Sequence, residues 1–222
     1  MKRFFFATIL TFLFVTVSSP HVQGQLYQSN RLAEAKFLHK TMAIIPVYVT
    51  EKDNSSDAKK EGRKGVVQED ELEGYNLQRS FYNYFITRKP KKVNWTVEIQ
   101  GYEETNQKLK QANILYADLM QTPKDKIGEI LGVDAIFLCE IKKLRTISDR
   151  AAVALDIFVG YGGYTGNIDI ETSIYESSTA ELMWKYERKL PTSYWGRSDY
   201  LVANIMKATI NKFPYKEKVS KK

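Results

Sequence analysis

Reactive side chains are scarce in this sequence, which has one cysteine and two histidines among its 222 residues. A single cysteine cannot form an intramolecular disulfide, so the disulfide frameworks of many small secreted proteins are excluded. Cys139 lies inside the apolar run 135–141, where a buried thiol behaves as a small hydrophobic side chain. We therefore expect this cysteine to be part of the core.

The shortage of histidine limits the chemistry that the chain can perform. His21 belongs to the N-terminal segment, so a Cys–His or Ser–His nucleophile would depend on His39, which has no motif around it. A zinc site needs three or four ligands at a suitable spacing, and nucleotide-binding loops need patterns such as GxGxxG; the sequence contains neither. We expect no catalytic residue, no metal and no cofactor, and hence a protein that is not an enzyme.

Residues 1–24 have the pattern of a cleaved secretory signal peptide. Two basic residues precede the almost unbroken apolar run Phe4–Val17, and small or modest side chains stand just before Gln25. The pattern predicts cleavage between Gly24 and Gln25, and the apolar run is short for a membrane span. No cysteine stands at this junction to carry a lipid. We therefore expect a soluble, exported chain with no transmembrane segment after cleavage.

Basic residues outnumber acidic ones, 33 against 26, which gives a formal net charge of +7. Part of the excess lies in the segment 214–222, which is predicted to be a solvated basic tail; attraction to anionic lipid or wall polymers is the alternative. Basic and aromatic residues do not interleave along one face, so we expect no nucleic-acid partner.

Hydrophobic periodicity predicts alternating strands and helices. In chain order, the predicted elements are a polar leader with a short helix (25–40), a strand interrupted by Pro46 (41–49), an exposed loop (51–70), a helix (71–88), an alternating strand (93–99), two helices (103–117 and up to Leu131), strands (133–141, 151–159, 168–174 and 180–190) and a final helix after Ser198. This order predicts a single layered α/β domain over 41–213, with a mixed sheet flanked by helices.

Three motifs resemble those of a group of exported assembly proteins. Residues 127–138 (IGEILGVDAIFL) resemble the group's helix–turn–strand signature, residues 174–184 (IYESSTAELMW) resemble its strand–turn–strand, and residues 42–47 (MAIIPV) resemble its first strand. The group includes the curli secretion channel subunit, the lipoprotein activators of penicillin-binding proteins and the fold of the TolB N-terminal domain. The chain lacks the lipobox cysteine of many relatives, and it has Thr179-Ala180 where they have Thr-Gly.

Physical roles can be assigned to three residues of these motifs. Gly132 is placed to end a helix, and Asp134 can bond the turn backbone before the next strand. Trp184 would fill the interface between the sheet and the helices. The resemblance implies a TolB-N-terminal-like α/β fold.

The resemblance further implies a non-catalytic binding or scaffolding module of the bacterial envelope, involved in the assembly or secretion of another envelope component. Such a module would lie in the periplasm or at the inner face of the outer membrane, and would bind an envelope protein or copies of itself. The predicted contacts are Tyr161 and Tyr164, in a segment rich in glycine and tyrosine, and the loop 51–70. Tyrosine suits interfaces because its ring is rigid and amphipathic.

Two alternatives remain open at this point. A secreted carboxylate-dependent hydrolase or carbohydrate-active protein would need two carboxylates roughly 5–10 Å apart, in an aromatic cleft. Secretion from a eukaryotic cell would make Asn54-Ser-Ser and Asn94-Trp-Thr glycosylation sequons, although Asn94 falls in a predicted strand.

Overall fold

The computed structural model describes residues 24–62, 65, 67–87, 93–147, 166–192 and 198–218. The strands are β1 (Gln25–Gln28), β2 (Thr41–Ile44), β3 (Tyr48–Asp53), β4 (Val67–Glu69), β5 (Val93–Trp95), β6 (Glu98–Ile99), β7 (Ala135–Arg145), β8 (Gly166–Glu176), β9 (Leu182–Thr192) and β10 (Lys216–Lys218). The helices are α1 (Leu32–Leu38), α2 (Ser56–Lys60), α3 (Glu71–Thr87), α4 (Tyr102–Gln111), α5 (Lys124–Leu131) and α6 (Ser198–Lys212), with one 3₁₀ turn at Tyr116–Asp118.

Eight strands form one mixed sheet around β7. The order is β1-β9-β8-β7-β2-β6. β3 pairs with β7 on the same side as β2 but farther along the strand, and β4 pairs with the outer edge of β3. Pro46 lies in the gap between β2 and β3, where a residue without an N–H interrupts no ladder. β7 is parallel to β2 and β3 and antiparallel to β8. The single α/β domain with a mixed sheet that the sequence predicts is confirmed.

One face of the sheet is covered by α1, α3 and α6. Alternate residues of β7, from Ala135 to Ile141, belong to the buried cluster on this side. Aromatic rings fill the space between the sheet and the helices: the rings of Phe85 and Phe213 lie 4.9 Å apart, and the ring of Phe137 lies 5.9 Å from that of Phe85. This face holds most of the core.

The opposite face is covered over only part of its area. Here α4, α5 and the 3₁₀ turn pack against Ile136 and Leu138 of β7. The next residues of β7 on the same side are Glu140 and Lys142, which are charged. We call the uncovered part the charged face; it carries Gln25, Tyr48, Glu140, Lys142, Asp169, Glu171, Lys185, Glu187 and Lys189.

The loop predicted at 51–70 is wrong, although most of the described residues of this segment are exposed as expected. This segment forms the end of β3, the helix α2 and the strand β4. Ser55 caps α2 by accepting a hydrogen bond from the Ala58 backbone N–H (3.2 Å), and Ala58 is fully buried. The polar composition is misleading because β4 pairs with β3 alone, at the sheet edge, where few side chains need to be apolar.

The single strand predicted at 93–99 is also wrong. It is divided into β5 and β6, which belong to different sheets. Between them the Thr96 N–H donates to the Tyr215 carbonyl (3.1 Å) and the Glu98 N–H donates to the Lys40 carbonyl (2.8 Å), so the chain changes pairing partners. The alternation of apolar and polar residues continues through this change, and periodicity alone therefore cannot reveal it.

Two short strands lie close to the ends of the described chain. β1, in the segment predicted as a polar leader, pairs antiparallel with β9. β10, at the start of the segment predicted as a basic tail, pairs antiparallel with β5 to form a separate two-stranded sheet. Main-chain hydrogen bonds therefore hold parts of both segments on the domain.

We predict that Gly74→Ala destabilises the fold by about 2 kcal/mol. A Cβ at Gly74 would lie 2.6 Å from the Tyr116 ring and even closer to the Val47 carbonyl oxygen, which is backbone and cannot move aside easily. This clash outweighs the gain of about 1 kcal/mol in helix propensity. Urea unfolding measures the difference. Gly101→Ala is the matched control, since no atom lies within 4 Å of its Cβ position, and an equal loss in both variants would contradict the prediction.

Candidate functional site

A row of carboxylates crosses the charged face. Glu140 of β7 lies directly opposite Glu171 of β8, and Glu171 lies directly opposite Glu187 of β9. Opposite side chains in antiparallel strands are about 4.5–5.5 Å apart at Cβ, so three like charges are neighbours. We call these three residues the glutamate row. Tyr48 of β3 continues the row at one end, and Gln25 of β1 continues it at the other.

Two lysines form ion pairs with the glutamate row. Lys185 Nζ lies 2.6 Å from the Glu187 carboxylate and 2.9 Å from that of Glu171, and Lys142 Nζ lies 3.0 Å from that of Glu140. Hydrogen bonds to Glu187 and Glu171 raise the pKa of Lys185 against the opposing effect of its desolvation. Because like charges placed opposite one another destabilise a sheet, these lysines allow the row to form.

The β3 end of the row is closed by a tyrosine. The Tyr48 hydroxyl donates a hydrogen bond to the Glu69 carboxylate of β4 (2.6 Å). This bond, together with desolvation and the charges of Glu69 and Glu140, raises the pKa of Tyr48 to about 12. Tyr48 therefore remains a neutral hydrogen-bond donor at ordinary pH.

An open depression of about 380 Å³ lies among these side chains. Its lining combines carboxylates with basic residues, and the lining residues that the structure describes include no aromatic ring. Asp169 is paired with Lys189 at 3.3 Å. The depression therefore suits a polar or charged partner. It supplies the carboxylates that a hydrolase would need, but not the aromatic cleft.

The strand β1 lies at one edge of the sheet, and its only pairing among the described residues is with β9. The Ser29 N–H donates to the Met183 carbonyl (2.9 Å), and hydrogen-bonded pairs alternate along an antiparallel register. Tyr27 is therefore hydrogen bonded to β9. The backbone N–H and C=O groups of Leu26 and Gln28 consequently face away from β9, toward the outside of the sheet.

The β1 edge has little protection against a further strand. All four of its residues are exposed, and Leu26 and Tyr27 keep 46% and 49% of their surface accessible. Proteins usually protect edge strands with charged residues, proline or a bulge, and the sequence Gln-Leu-Tyr-Gln has neither charge nor proline. This arrangement permits pairing with another extended chain.

His39 is buried, and both of its ring nitrogens face polar partners. Nδ1 lies 2.6 Å from the Tyr215 hydroxyl, and Nε2 lies 3.7 Å from the Glu176 carboxylate. Burial, with Glu176 and Asp134 nearby, raises the pKa of Tyr215, so its hydroxyl stays protonated and is able to donate to Nδ1. The tautomer with the proton on Nε2 satisfies both contacts. His39 therefore joins the end of α1 to β8 and to the C-terminal segment.

Asp134 and Gly132 lie in the turn between α5 and β7. Asp134 Oδ2 accepts hydrogen bonds from the backbone N–H groups of Lys40 (2.7 Å) and Thr41 (2.9 Å), so it bonds to the start of β2. Desolvation opposes ionisation, but the hydrogen bonds from Thr41 and Lys40 prevail and lower the pKa of Asp134. Gly132 ends α5 with φ +66°, in the left-handed region that favours glycine.

Trp184 and Gly24 are two further described residues among those selected from the sequence. Trp184 is fully buried on the helix-covered face, and its ring is stacked 6.2 Å from that of Tyr186. Gly24 precedes β1 and lies so close to Tyr186 that a Cβ there would be 2.5 Å from a ring carbon. Tyr161 and Tyr164 fall outside the described residues, and their role as partner contacts stays a prediction.

The glutamate row was not recognisable from the sequence. Its members come from three strands, and only the pairing register brings residues 140, 171 and 187 into line. A weak local signal exists at Glu140, because it is a charge within the apolar run 135–141. A charge inside an apolar strand suggests that one side of the strand is uncovered at that residue.

Cys139 lies in β7 on the helix-covered face, fully enclosed. Burial, with smaller effects of Glu140 and Glu171, raises the pKa of the Cys139 thiol well above its usual range, so it is not a thiolate at neutral pH. Within the described ranges, no group of three or more His, Cys, Asp or Glu residues is arranged to hold a metal ion. In the same part of the chain, no helix combines the length and the apolar character needed to cross a membrane.

No family model matches the chain, and no curated protein matches it in sequence. Lipoprotein GNA1162 from Neisseria meningitidis is similar in structure, with 12% identity, a TM-score of 0.43 and coverage of 78% of this chain and 94% of that one. The C-terminal domain of LpoB from Salmonella enterica has 8% identity, a TM-score of 0.38 and coverage of 68% and 83%. A PelC dodecamer from Paraburkholderia phytofirmans has 10% identity, a TM-score of 0.39 and coverage of 84% and 96%. These are loose resemblances at low identity.

We predict that Asp134→Ala destabilises the protein by about 1 kcal/mol at pH 7, because two backbone N–H groups lose a charged acceptor at an exposed position, where water replaces it in part. Since folding lowers the pKa of Asp134, its contribution is present above the unfolded pKa of about 3.9 and is lost as pH falls through the folded value. The difference in the free energy of unfolding between the variant and the unmutated protein should therefore become smaller below about pH 4. Urea unfolding at several pH values measures this difference. Glu129→Ala, at an exposed residue of α5, is the control. A difference in the free energy of unfolding that does not change with pH would contradict the prediction.

We predict that Tyr215→Phe costs about 1–2 kcal/mol, because it leaves the buried Nδ1 of His39 without its hydrogen-bond partner. The loss should be measurable in urea unfolding at neutral pH. Tyr27→Phe is the matched control, since Tyr27 is about half exposed and should change stability little. Equal stability of the two variants would show that the His39–Tyr215 bond is not significant.

Proposed function

We propose that this protein is an exported, non-catalytic binding module of the bacterial envelope. It binds another envelope protein by accepting a strand at β1, and the charged face beside β1 helps to select that partner. The observation that carries the proposal is the outer edge of β1, where the backbone groups of Leu26 and Gln28 face away from the sheet. The biological role is assembly or secretion of another envelope component.

The setting of this function is supported by the sequence. The pattern of residues 1–24 favours export, and the motif resemblance favours an assembly role in the envelope. The mature protein acts in the periplasm or at the inner face of the outer membrane. A protein partner, rather than a lipid of its own, holds it there.

The two faces of β1 suggest what the partner strand looks like. Strand addition obtains affinity from main-chain hydrogen bonds and specificity from alternate side chains. Leu26 lies on the helix-covered side of β1, and Tyr27 lies on the side of the charged face. A partner strand with an apolar residue beside Leu26 and charged residues toward the glutamate row would fit both. Complementary charges raise the association rate and exclude wrong partners.

A carboxylate-dependent hydrolase is less well supported. A catalytic carboxyl group must be placed to exchange a proton with the substrate, whereas a carboxylate held in an ion pair is already engaged. In the glutamate row, every carboxylate lies within 3.0 Å of a lysine Nζ. The depression therefore suits ionic recognition better than acid catalysis.

The docking proposal predicts that Leu26→Pro abolishes partner binding without unfolding the domain. Proline removes the N–H that faces outward, and it leaves the hydrogen bonds between β1 and β9 in place. Leu26→Ala is the matched control, because it removes the same side chain but keeps the N–H. Binding is measured in the producing cells by a photo-crosslinking amino acid at Tyr27, and circular dichroism checks the fold of each variant.

The expected result is a defined crosslinked envelope protein with the unmutated chain and with Leu26→Ala, and none with Leu26→Pro. A crosslinker at Leu115, an exposed residue beside the 3₁₀ turn, should not capture that protein. A crosslinked second copy of this chain would make β1 a self-assembly edge instead. Capture from Leu115 and Tyr27 alike, or unchanged capture with Leu26→Pro, would refute docking at β1.

A further inference from the structure

The glutamate row contains more negative charge than its lysines neutralise. Lys185 bridges Glu171 and Glu187, and Lys142 pairs with Glu140, so two lysines serve three carboxylates. The row is open at its β1 end, where Gln25 lies opposite Glu187. A cation at this position would balance the row.

The predicted cleavage site lies at that position. Gln25 lines the same depression as the three glutamates. Because Ser29 is hydrogen bonded to Met183 and such pairs alternate along the register, Gln25–Glu187 is a hydrogen-bonded pair. The backbone nitrogen of Gln25 therefore faces β9 at Glu187.

We propose that cleavage after Gly24 supplies the missing cation, and that the new α-ammonium group of Gln25 binds the glutamate row at Glu187 and fastens β1 to β9. In the uncleaved chain, the same nitrogen is a neutral amide with a single N–H. Cleavage by water adds a positive charge and further N–H donors at that atom. One N–H continues to donate to the backbone carbonyl of Glu187, and the others are available to donate to the carboxylates.

The charged groups of the row and of its ion pairs come from three strands, of which β9 is next to the new ammonium group and β7 is the most distant. Glu187 and Lys185 lie on β9, Glu171 lies on β8, and Glu140 with Lys142 lies on β7. With the ammonium group in place, cations and carboxylates along the row are equal in number. Repulsion between neighbouring glutamates is then offset along the whole row.

The remaining charges around the depression do not balance the row. Asp169 and Lys189 are paired with each other. Arg188 also borders the depression, but it lies opposite Ile170 and therefore belongs to the helix-covered side of β9. The N-terminus of the mature chain is thus the cation best placed to complete the row.

The proposal also predicts the chemical fate of the N-terminal glutamine. An unprotonated α-amine can attack the side-chain amide carbon of the same residue, which forms a C–N bond and releases ammonia. The product is a neutral lactam, so the N-terminus loses its positive charge. An ammonium group held by Glu187 has no lone pair for this attack. Gln25 should therefore cyclise more slowly in the folded protein than after denaturation.

This inference rests on the predicted cleavage at Gly24–Gln25 and not on partner docking. It links cleavage to docking, because cleavage would fasten β1, the strand that the partner is proposed to bind. Docking at β1 and binding of the ammonium group are measured separately, so either can fail alone.

The test compares three purified chains that end at Lys222: one that starts at Gln25, one that starts at Gly24, and the Gln25 chain with an acetylated α-amine. NMR of the labelled amine measures its pKa, and thermal unfolding measures Tm. We expect the pKa of the Gln25 amine to be raised by about one unit above its ordinary 7.7–8.0. Because folding raises this pKa, the Gln25 chain should have a higher Tm than the acetylated chain at pH 7. That advantage should disappear as pH rises through the raised pKa.

Two variants provide the controls. Glu187→Gln should return the pKa of the amine to its ordinary range and remove the Tm advantage over the acetylated chain. Glu98→Gln, on β6 at the other edge of the sheet, should change neither. If the Gln25 amine titrates in its ordinary range and acetylation leaves Tm unchanged, the proposal is wrong. The comparison with the acetylated chain decides the question even if Glu187→Gln fails to fold.

Discussion

The pairing of β7 with β8 is the interaction on which the rest of the structure depends. Eleven consecutive residue pairs join the two strands, from Ala135–Glu176 to Arg145–Gly166. A slip by one residue would exchange the two faces, moving Ile141 onto the uncovered charged face and Glu140 into the core. Unpaired burial of even one carboxylate costs several kcal/mol, so this register is strongly specified. Once it is fixed, the positions of the core, the charged face and the glutamate row follow.

The sequence predicts the long elements of the fold well and the short ones poorly. The helix predicted at 71–88 and the strand predicted at 133–141 correspond closely to α3 and β7, because each has enough turns or alternations for its period to be read. β1 and β10 have four and three residues, too few for a periodic signal, and they depend on long-range pairing. The segment 51–70 is polar in composition, yet its described residues include α2 and the paired residues of β3 and β4 at a sheet edge.

Local sequence patterns could not predict the candidate site, for a similar reason. The cleavage signal at Gly24–Gln25 can be read along the chain, but its position beside Glu187 depends on a pairing across more than 160 residues of sequence. His39 likewise has no motif around it, and its partner Tyr215 lies 176 residues away. Sequence reasoning identified His39 as isolated, whereas the fold encloses it between Tyr215 and Glu176.

The position of Cys139 has a consequence for the kinetics of this protein. It is the single thiol of the sequence, and it lies in the central strand beneath the helix-covered face. A thiol reagent can reach its sulfur only when the sheet or its helix layer opens. Under native conditions, the rate of alkylation therefore reports how often the middle of the domain opens, without any introduced label. Comparing this rate with global unfolding would reveal whether β7 separates from its neighbours before the whole domain unfolds.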